Sequence, residues 1–355
     1  MKQLKIKSCV AVVVLIAAAS LTAYAQGNAF NTSGNILISD QFNNRVIEVN
    51  PNNHRIVWHF GNQSSVAGPH SVVGVNDAQR VGVFTLIAGT GAPAGSEPTC
   101  PNGCPDNRVM LVNPQGQIVW QYGKAGVTGS GPDELNTPVQ NTWLPNTHVL
   151  ITDQANERVI EVTLNKKIVW QYGQTGVSGE GFNQLNNPNS AELLANGHIL
   201  IADENNNRVI EVDRHKNIVW SYGCSTCTQL SGAAFASRLP NGDTLITDSN
   251  NNRILEVDAS GNVVSTYYTN TRPGSISAPL PTRAVRLKNG NTLISDQFND
   301  QVIEIDANQN IVFSQGTIAV SGNTFDLLNA PYDAKVVGDY TGLTPPFCDD
   351  CGGDD

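Results

Sequence analysis

The same short series of residues returns along this chain, and it leaves few folds open. Asn35-Ile36-Leu37-Ile38-Ser39-Asp40 leads into Asn44-Arg45-Val46-Ile47-Glu48-Val49 and then Ile56-Val57-Trp58. Related runs occupy 149–170, 199–220, 245–257 and 293–305, and a divergent copy sits at 84–120. The marker aspartates Asp153, Asp203, Asp248 and Asp296 stand 50, 45 and 48 residues apart. Each copy alternates short apolar, β-branched runs with Asn, Gly and Asp clusters, the pattern of strands joined by tight turns. Asn196-Gly197, Asn241-Gly242 and Asn289-Gly290 are hairpin signals. No long stretch keeps a helical period. Four-stranded units repeated without helices bury both sheet faces only by packing against one another in a ring.

The expected fold is therefore all-β, a six-bladed β-propeller. The innermost strand of a blade, strand A, is marked by a proline ahead of an apolar run: Pro138, Pro188, Pro281 and Pro331, with Pro69 taken for the divergent second blade. Residues 33–61 supply three strands of blade one but no strand A. Residues 328–337 match 185–194, so the last strand is expected to complete blade one and close the ring. The chain divides into a leader (1–25), the propeller (26–338) and an acidic, cysteine-containing tail (339–355).

The connection Gly173-Gln174-Thr175-Gly176-Val177-Ser178-Gly179-Glu180-Gly181-Phe182, running into Leu185-Asn186-Asn187-Pro188, resembles the NHL repeat family. So does Ala202-Asp203-Glu204-Asn205-Asn206-Asn207-Arg208-Val209. The resemblance spans roughly 33–337 and implies six blades without implying one activity. Blade endings at Trp120, Trp170 and Trp220, each followed by x-Tyr-Gly, depart from that family. They are equally similar to quinoprotein-type and arylsulfotransferase-like propellers.

Lys2, Lys5 and Lys7, an apolar run from Val10 to Ala19 and Ala23-Tyr24-Ala25 have the layout of a secretory signal peptide. Export to a periplasm or to the exterior is expected, with no membrane insertion after cleavage. Three of the 21 Lys and Arg and none of the 31 Asp and Glu fall in 1–25, so 18 against 31 leaves a formal charge of −13. That charge opposes nucleic acid and anionic membranes. A monomer is expected. The remaining cysteines form three local pairs: Cys100 with Cys104, Cys224 with Cys227, and Cys348 with Cys351. All three are read as disulfides in an oxidising compartment, ahead of the zinc or redox chemistry that C-x-x-C spacing also suits.

Sets such as Asp153/Arg158/Glu161 recur in most blades and read as construction parts. The aspartate is expected to close its own turn, and the arginine to meet a glutamate of the neighbouring blade. The repeated tryptophans read as packing between blades. Function is sought where the ring departs from its own symmetry. The start of strand A lines the channel mouth, and its candidate ligand-binding residues are His70, Gln140, Asn189, Phe235, Arg283, Tyr332 and Asp333. An insertion, Gly89 to Asn107, is expected to rise over the mouth beside His70.

The leading expectation is a secreted binding or scaffold module that recognises a small molecule or a protein through its glycine-rich loops and channel mouth. The sequence leans away from an enzyme, because no nucleophile–base–orienter set and no metal cluster is visible. The alternative is a channel-mouth enzyme. One form is arylsulfotransferase-like transfer using His70 and Arg283. The other is a metal-dependent lyase or lactonase near Asp333, Asn189 and Gln140. A divalent cation, held there or by the tail carboxylates, is the one cofactor suggested.

Overall fold

The computed structural model describes residues 30–324 and 326–347. The leader lies outside the described residues. Blade one contributes β1 (Ile36–Asp40), β2 (Arg45–Val49) and β3 (Ile56–Phe60). Blade two holds β4 (Val75–Val81), β5 (Phe84–Ala92), β6 (Cys104–Val112) and β7 (Ile118–Tyr122). Blade three holds β8 (Pro138–Trp143), β9 (Val149–Asp153), β10 (Arg158–Val162) and β11 (Ile168–Tyr172). Blade four holds β12 (Pro188–Leu193), β13 (Ile199–Asp203), β14 (Arg208–Val212) and β15 (Ile218–Gly223). Blade five holds β16 (Ala233–Arg238), β17 (Thr244–Asp248), β18 (Arg253–Val257) and β19 (Val263–Tyr268). Blade six holds β20 (Arg283–Arg286), β21 (Thr292–Asp296), β22 (Gln301–Ile305) and β23 (Ile311–Gln315). The last strand, β24 (Pro331–Val336), returns to blade one.

Each blade is a four-stranded antiparallel sheet, and the whole is a six-bladed β-propeller. Helical turns among the described residues are short 3-10 segments, and no helix is long and apolar enough to cross a membrane. β24 pairs with β1 as Ile36↔Val336, Ile38↔Ala334 and Ser39↔Asp333, so the end of the chain closes the circle as expected.

Period-two alternation splits every blade between two cores. Leu37 and Val46 face Ile87 and Met110 of blade two, whereas Ile38 and Ile47 face Leu293 and Val302 of blade six. The same exchange recurs around the ring. Each such side chain stabilises the fold by about 1.5–3 kcal/mol on burial, and none can do so in an isolated blade.

The recurrent polar residues are structural, with partners partly different from those expected. Arg158 Nε pairs with Asp153 of its own blade at 2.7 Å, across the β9–β10 register. The same Asp153 oxygen accepts the side-chain amide of Asn156 in its own turn at 2.8 Å, while the other accepts the backbone N–H of Asn136, in the connection entering the blade. Asp40, Asp203 and Asp248 repeat the arrangement. The glutamates do meet arginines of the next blade, but from another set: Glu48 with Arg80, Glu211 with Arg238 and Glu256 with Arg286. Where Leu111 replaces that glutamate, the next blade carries Trp143 in place of the arginine, and the two share an apolar core. Where Gln301 replaces the arginine of blade six, Arg272 from the preceding connection reaches Asp296.

Tryptophans staple neighbouring blades. Trp58, Trp120, Trp170 and Trp220 each donate Nε1–H to a carbonyl of the next blade, at Pro114, Leu164, Arg214 and Ala259. The glycine closing Trp170-Gln171-Tyr172-Gly173 has φ +93°, and a Cβ there would lie 2.2 Å from the Glu157 carbonyl. A second ring of bonds runs along the connections. Asn44, Asn107, Glu157, Asn207, Asn252 and Asp300 each accept a backbone N–H from the following blade's connection.

Blade two corrects the strand assignment made from proline spacing. Its inner strand is β4, Val75–Val81, which turns through Gly82-Val83 directly into β5. Pro69 and His70 belong to the connection before it. The insertion lengthens β5 and β6, so only 93–103 is loop. Gly89 stands where the other blades carry aspartate, and the Asp106 side chain fills the vacated space, pairing with Arg108 at 2.5 Å.

Two of the three expected disulfides are present. Cys100–Cys104 pins the blade-two loop, and Cys224–Cys227 staples the connection into blade five. The third expected pair, Cys348 with Cys351, lies outside the described residues.

Candidate functional site

Two faces of the ring are distinct. The connections and 3-10 turns lie at the starting ends of the inner strands. The A–B and C–D turns lie at the other ends. The channel between them is layered.

At the connection face, polar side chains form a hydrogen-bonded belt. Gln154 and Asn189 donate to Glu204 Oε2 at 3.3 and 2.8 Å. Asn189 also donates to the Tyr332 hydroxyl at 2.8 Å, so Tyr332 of blade one reaches across the channel to blade four. Gln41 donates to Asn76 and accepts from Gln297, both at 2.8 Å. Glu204, Gln154 and Tyr332 stay partly exposed in the mouth, whereas Asn76, Asn189, Gln41 and Gln297 are buried. Burial pushes the Glu204 carboxyl above its ordinary range, against the Asn189 bond. Burial and the neighbouring Glu204 raise the Tyr332 phenol.

Below the belt lies a buried ionic cluster. Arg283 meets Asp77 and Asp333, each at 2.7 Å. Lys335 meets the same two aspartates at 2.6 Å. Asn141 donates its side-chain amide to Asp77 at 2.6 Å. The Arg283 guanidinium lies 4.1 Å from the centre of the Phe235 ring. Burial pushes Asp77 up to about 6; Lys335 and Arg283 work against the rise and Asp333 adds to it. Burial works against the charge on Arg283, but Asp333 and Asp77 more than offset it and raise its pKa. Two acids and two bases cancel here. That neutrality is what makes so much buried charge tolerable.

The turn-face end is closed by the chain itself. After β24 the segment 338–347 runs beneath the channel. Leu343 packs on Phe235 and Val285. Thr344 donates its backbone N–H and its hydroxyl to Glu192 at 2.9 and 2.6 Å, and its carbonyl accepts from Gln79 at 3.2 Å. Glu192 is in turn held by Gln140 at 2.7 Å.

Six of the seven channel candidates therefore come together, in two layers. Asn189 and Tyr332 stand at the mouth. Gln140, Phe235, Arg283 and Asp333 lie deeper, each engaged with protein groups. His70 is not in the channel. It is exposed in a groove on the outer flank of blade two, with Pro69, Arg108 and Trp120. Blade two instead contributes Asn76 and Asp77. Counting back from β5 through the two-residue turn identifies them, but the proline marker hides them. Glu204 was also missed, because it sits inside the repeated Asp-x-x-Asn turn. Its counterparts Gln41, Gln154, Ser249 and Gln297 carry no charge, and that departure is the readable signal.

Compared with family models and with curated proteins, the sequence matches none. Solved structures do match. A protein of unknown function from Bacteroides caccae aligns with TM-score 0.57 and 15% identity, over 80% of this chain and 93% of that one. Virginiamycin B lyase from Staphylococcus aureus aligns with TM-score 0.50 and 14% identity, over 83% and 87%. A streptogramin B lyase aligns with TM-score 0.50 and 13% identity, over 83% and 86%. At such identities the likeness concerns the propeller fold alone.

Proposed function

We propose that this chain is an exported, NHL-like binding module that engages its ligand through the connection face and the channel mouth, and that it is not an enzyme. One observation carries the reading. The groups with chemical potential inside the channel, Asp77, Asp333, Arg283 and Lys335, are consumed by one another. Groups that keep solvent contact and break the ring's symmetry are at the mouth and on the loops around it. Val66 and Phe182, 74% and 70% exposed, stand out on the connections.

The transfer chemistry using His70 and Arg283 loses its geometry. His70 lies against the outermost strand of blade two and Arg283 inside the innermost ring. Strands are spaced about 4.8 Å apart, so at least the width of blade two, roughly 14 Å, lies between them. A metal site at Asp333 loses its carboxylate to Arg283 and Lys335.

The test is a thermal-shift screen of chemically diverse small molecules. It uses the wild type, a mouth variant, Tyr332→Ala, and a rim variant, Phe182→Asp. Stabilisation lost in either variant but not in Val264→Asp, on the outer edge of blade five, supports the reading. Hits that ignore both variants, or turnover of any hit, would defeat it.

A further inference from the structure

We infer that the channel mouth takes a small organic cation, an ammonium group carried on an apolar body, with Glu204 as its counter-charge. The inference rests on the mouth being the binding surface and names the chemistry it selects.

Charge decides the head group. The cations of the channel, Arg283 and Lys335, are buried and neutralised by Asp77 and Asp333. The belt above them is otherwise built of amides and a phenol, so Glu204 is its one charged member among the described residues, and the nearby Glu157 and Asp300 give the opening the same negative sign. Both of its protein bonds fall on Oε2. Oε1 accepts from no described residue and, in a partly exposed side chain, is left for a ligand. An anion finds no free positive group here. A hard divalent cation wants about six oxygen ligands, whereas the described belt offers one carboxylate whose neighbours already bond each other, and Glu157 and Asp300 are each held by a connection N–H.

Shape decides the body. The residue after Gln41 and after Gln297 is phenylalanine: Phe42 in blade one is partly exposed and Phe298 in blade six is 37% exposed. The same turn position carries Ala155, Asn205 and Asn250 in blades three, four and five. Apolar surface is thus gathered on blades one and six, while the carboxylate stands on blade four. The gap between them is bridged by the Tyr332 side chain and its bond to Asn189. The partly exposed Tyr332 side chain places an aromatic ring on the way, a group that attracts cations. An ammonium joined to a phenyl or short alkyl body satisfies both sides together, which an ion or a sugar does not.

The experiment is calorimetric titration with three probes of one shape and different charge, phenethylammonium, 2-phenylethanol and phenylacetate, at neutral pH. Phenethylammonium is expected to bind at least about tenfold more tightly than the alcohol, and phenylacetate not measurably. Glu204→Gln, which keeps the Asn189 and Gln154 contacts, should erase the preference for the cation. Phe42→Ala should weaken the ammonium and the alcohol alike. Equal affinities, or an ammonium affinity unchanged in Glu204→Gln, would overturn the cation. If the alcohol or the anion binds best and Tyr332→Ala abolishes it, the mouth stands as a binding surface and only the charge assignment falls. If no probe binds at its solubility limit, the inference falls, while the thermal-shift screen still judges the rim independently.

Discussion

The two ends of the channel are closed by different means. At the connection face the closure is a belt of side chains on five blades, joined by hydrogen bonds and still in touch with water at Glu204, Gln154 and Tyr332. At the turn face it is a length of chain, 338–347, with Leu343 in an apolar pocket and Thr344 bonded to Glu192. A side-chain belt rearranges at little cost, because water replaces each lost bond. A tethered segment with buried apolar and charged contacts leaves only if its buried partners are stripped. The difference assigns access to the mouth and stability to the floor.

The largest effect expected is from ending the chain after Val337. Loss of Leu343 and of the bonds to Glu192 and Gln79 should destabilise the protein by about 5 kcal/mol, read from urea unfolding. A loss under about 1 kcal/mol, within the range of an ordinary surface change, would mean the floor is not sealed by the tail. Next comes Arg283→Met, which leaves Asp77 and Asp333 with Lys335 alone. It should cost about 4 kcal/mol, as breaking a buried pair does. An unchanged midpoint would show that water reaches the cluster and that the two ends are alike.

Smaller effects sharpen the contrast. Burial pushes Asp300 up to about 6, against its bond from Ala330 and with help from Asp40. Its pKa in the folded chain thus lies above the unfolded value of 3.8. Stability is therefore unaffected below about pH 4, falls as the pH rises from about 4 to about 6, and stays lowered above that. Asp300→Asn keeps an acceptor for Ala330, as Asn44, Asn207 and Asn252 do in their blades. Its Tm should rise by about 2–4 °C at pH 7 and match the wild type at pH 4. A gain that persists at pH 4 would show that charge is not its source. The smallest effect is expected at the mouth itself. Glu204→Gln should shift stability by less than about 0.5 kcal/mol, whereas Glu192→Gln at the floor should cost about 2 kcal/mol. Equal costs would erase the distinction between the ends.

Much of the fold was legible because its determinants are local. Five residues of alternating apolar character with an Asn-Gly turn dictate a hairpin wherever they occur, and their recurrence dictates the ring. The match of 328–337 to 185–194 was enough to predict that β24 completes blade one. The channel was legible only where the inner strand had its proline. In blade two the marker was absent, Pro69 stood in its place, and His70 was put where Asn76 and Asp77 belong. Glu204 was hidden by the repeat that surrounds it.

The sequence by itself determined the blades, their number and their closure, since ladders and turns depend on neighbours along the chain and on a period of two. Tertiary structure alone decided which polar residues are spent and which remain. Asp77 and Lys335 are 258 positions apart, and only ring closure brings them within 2.6 Å. Whether a charge is neutralised depends on that distance across the axis, a quantity no local pattern encodes.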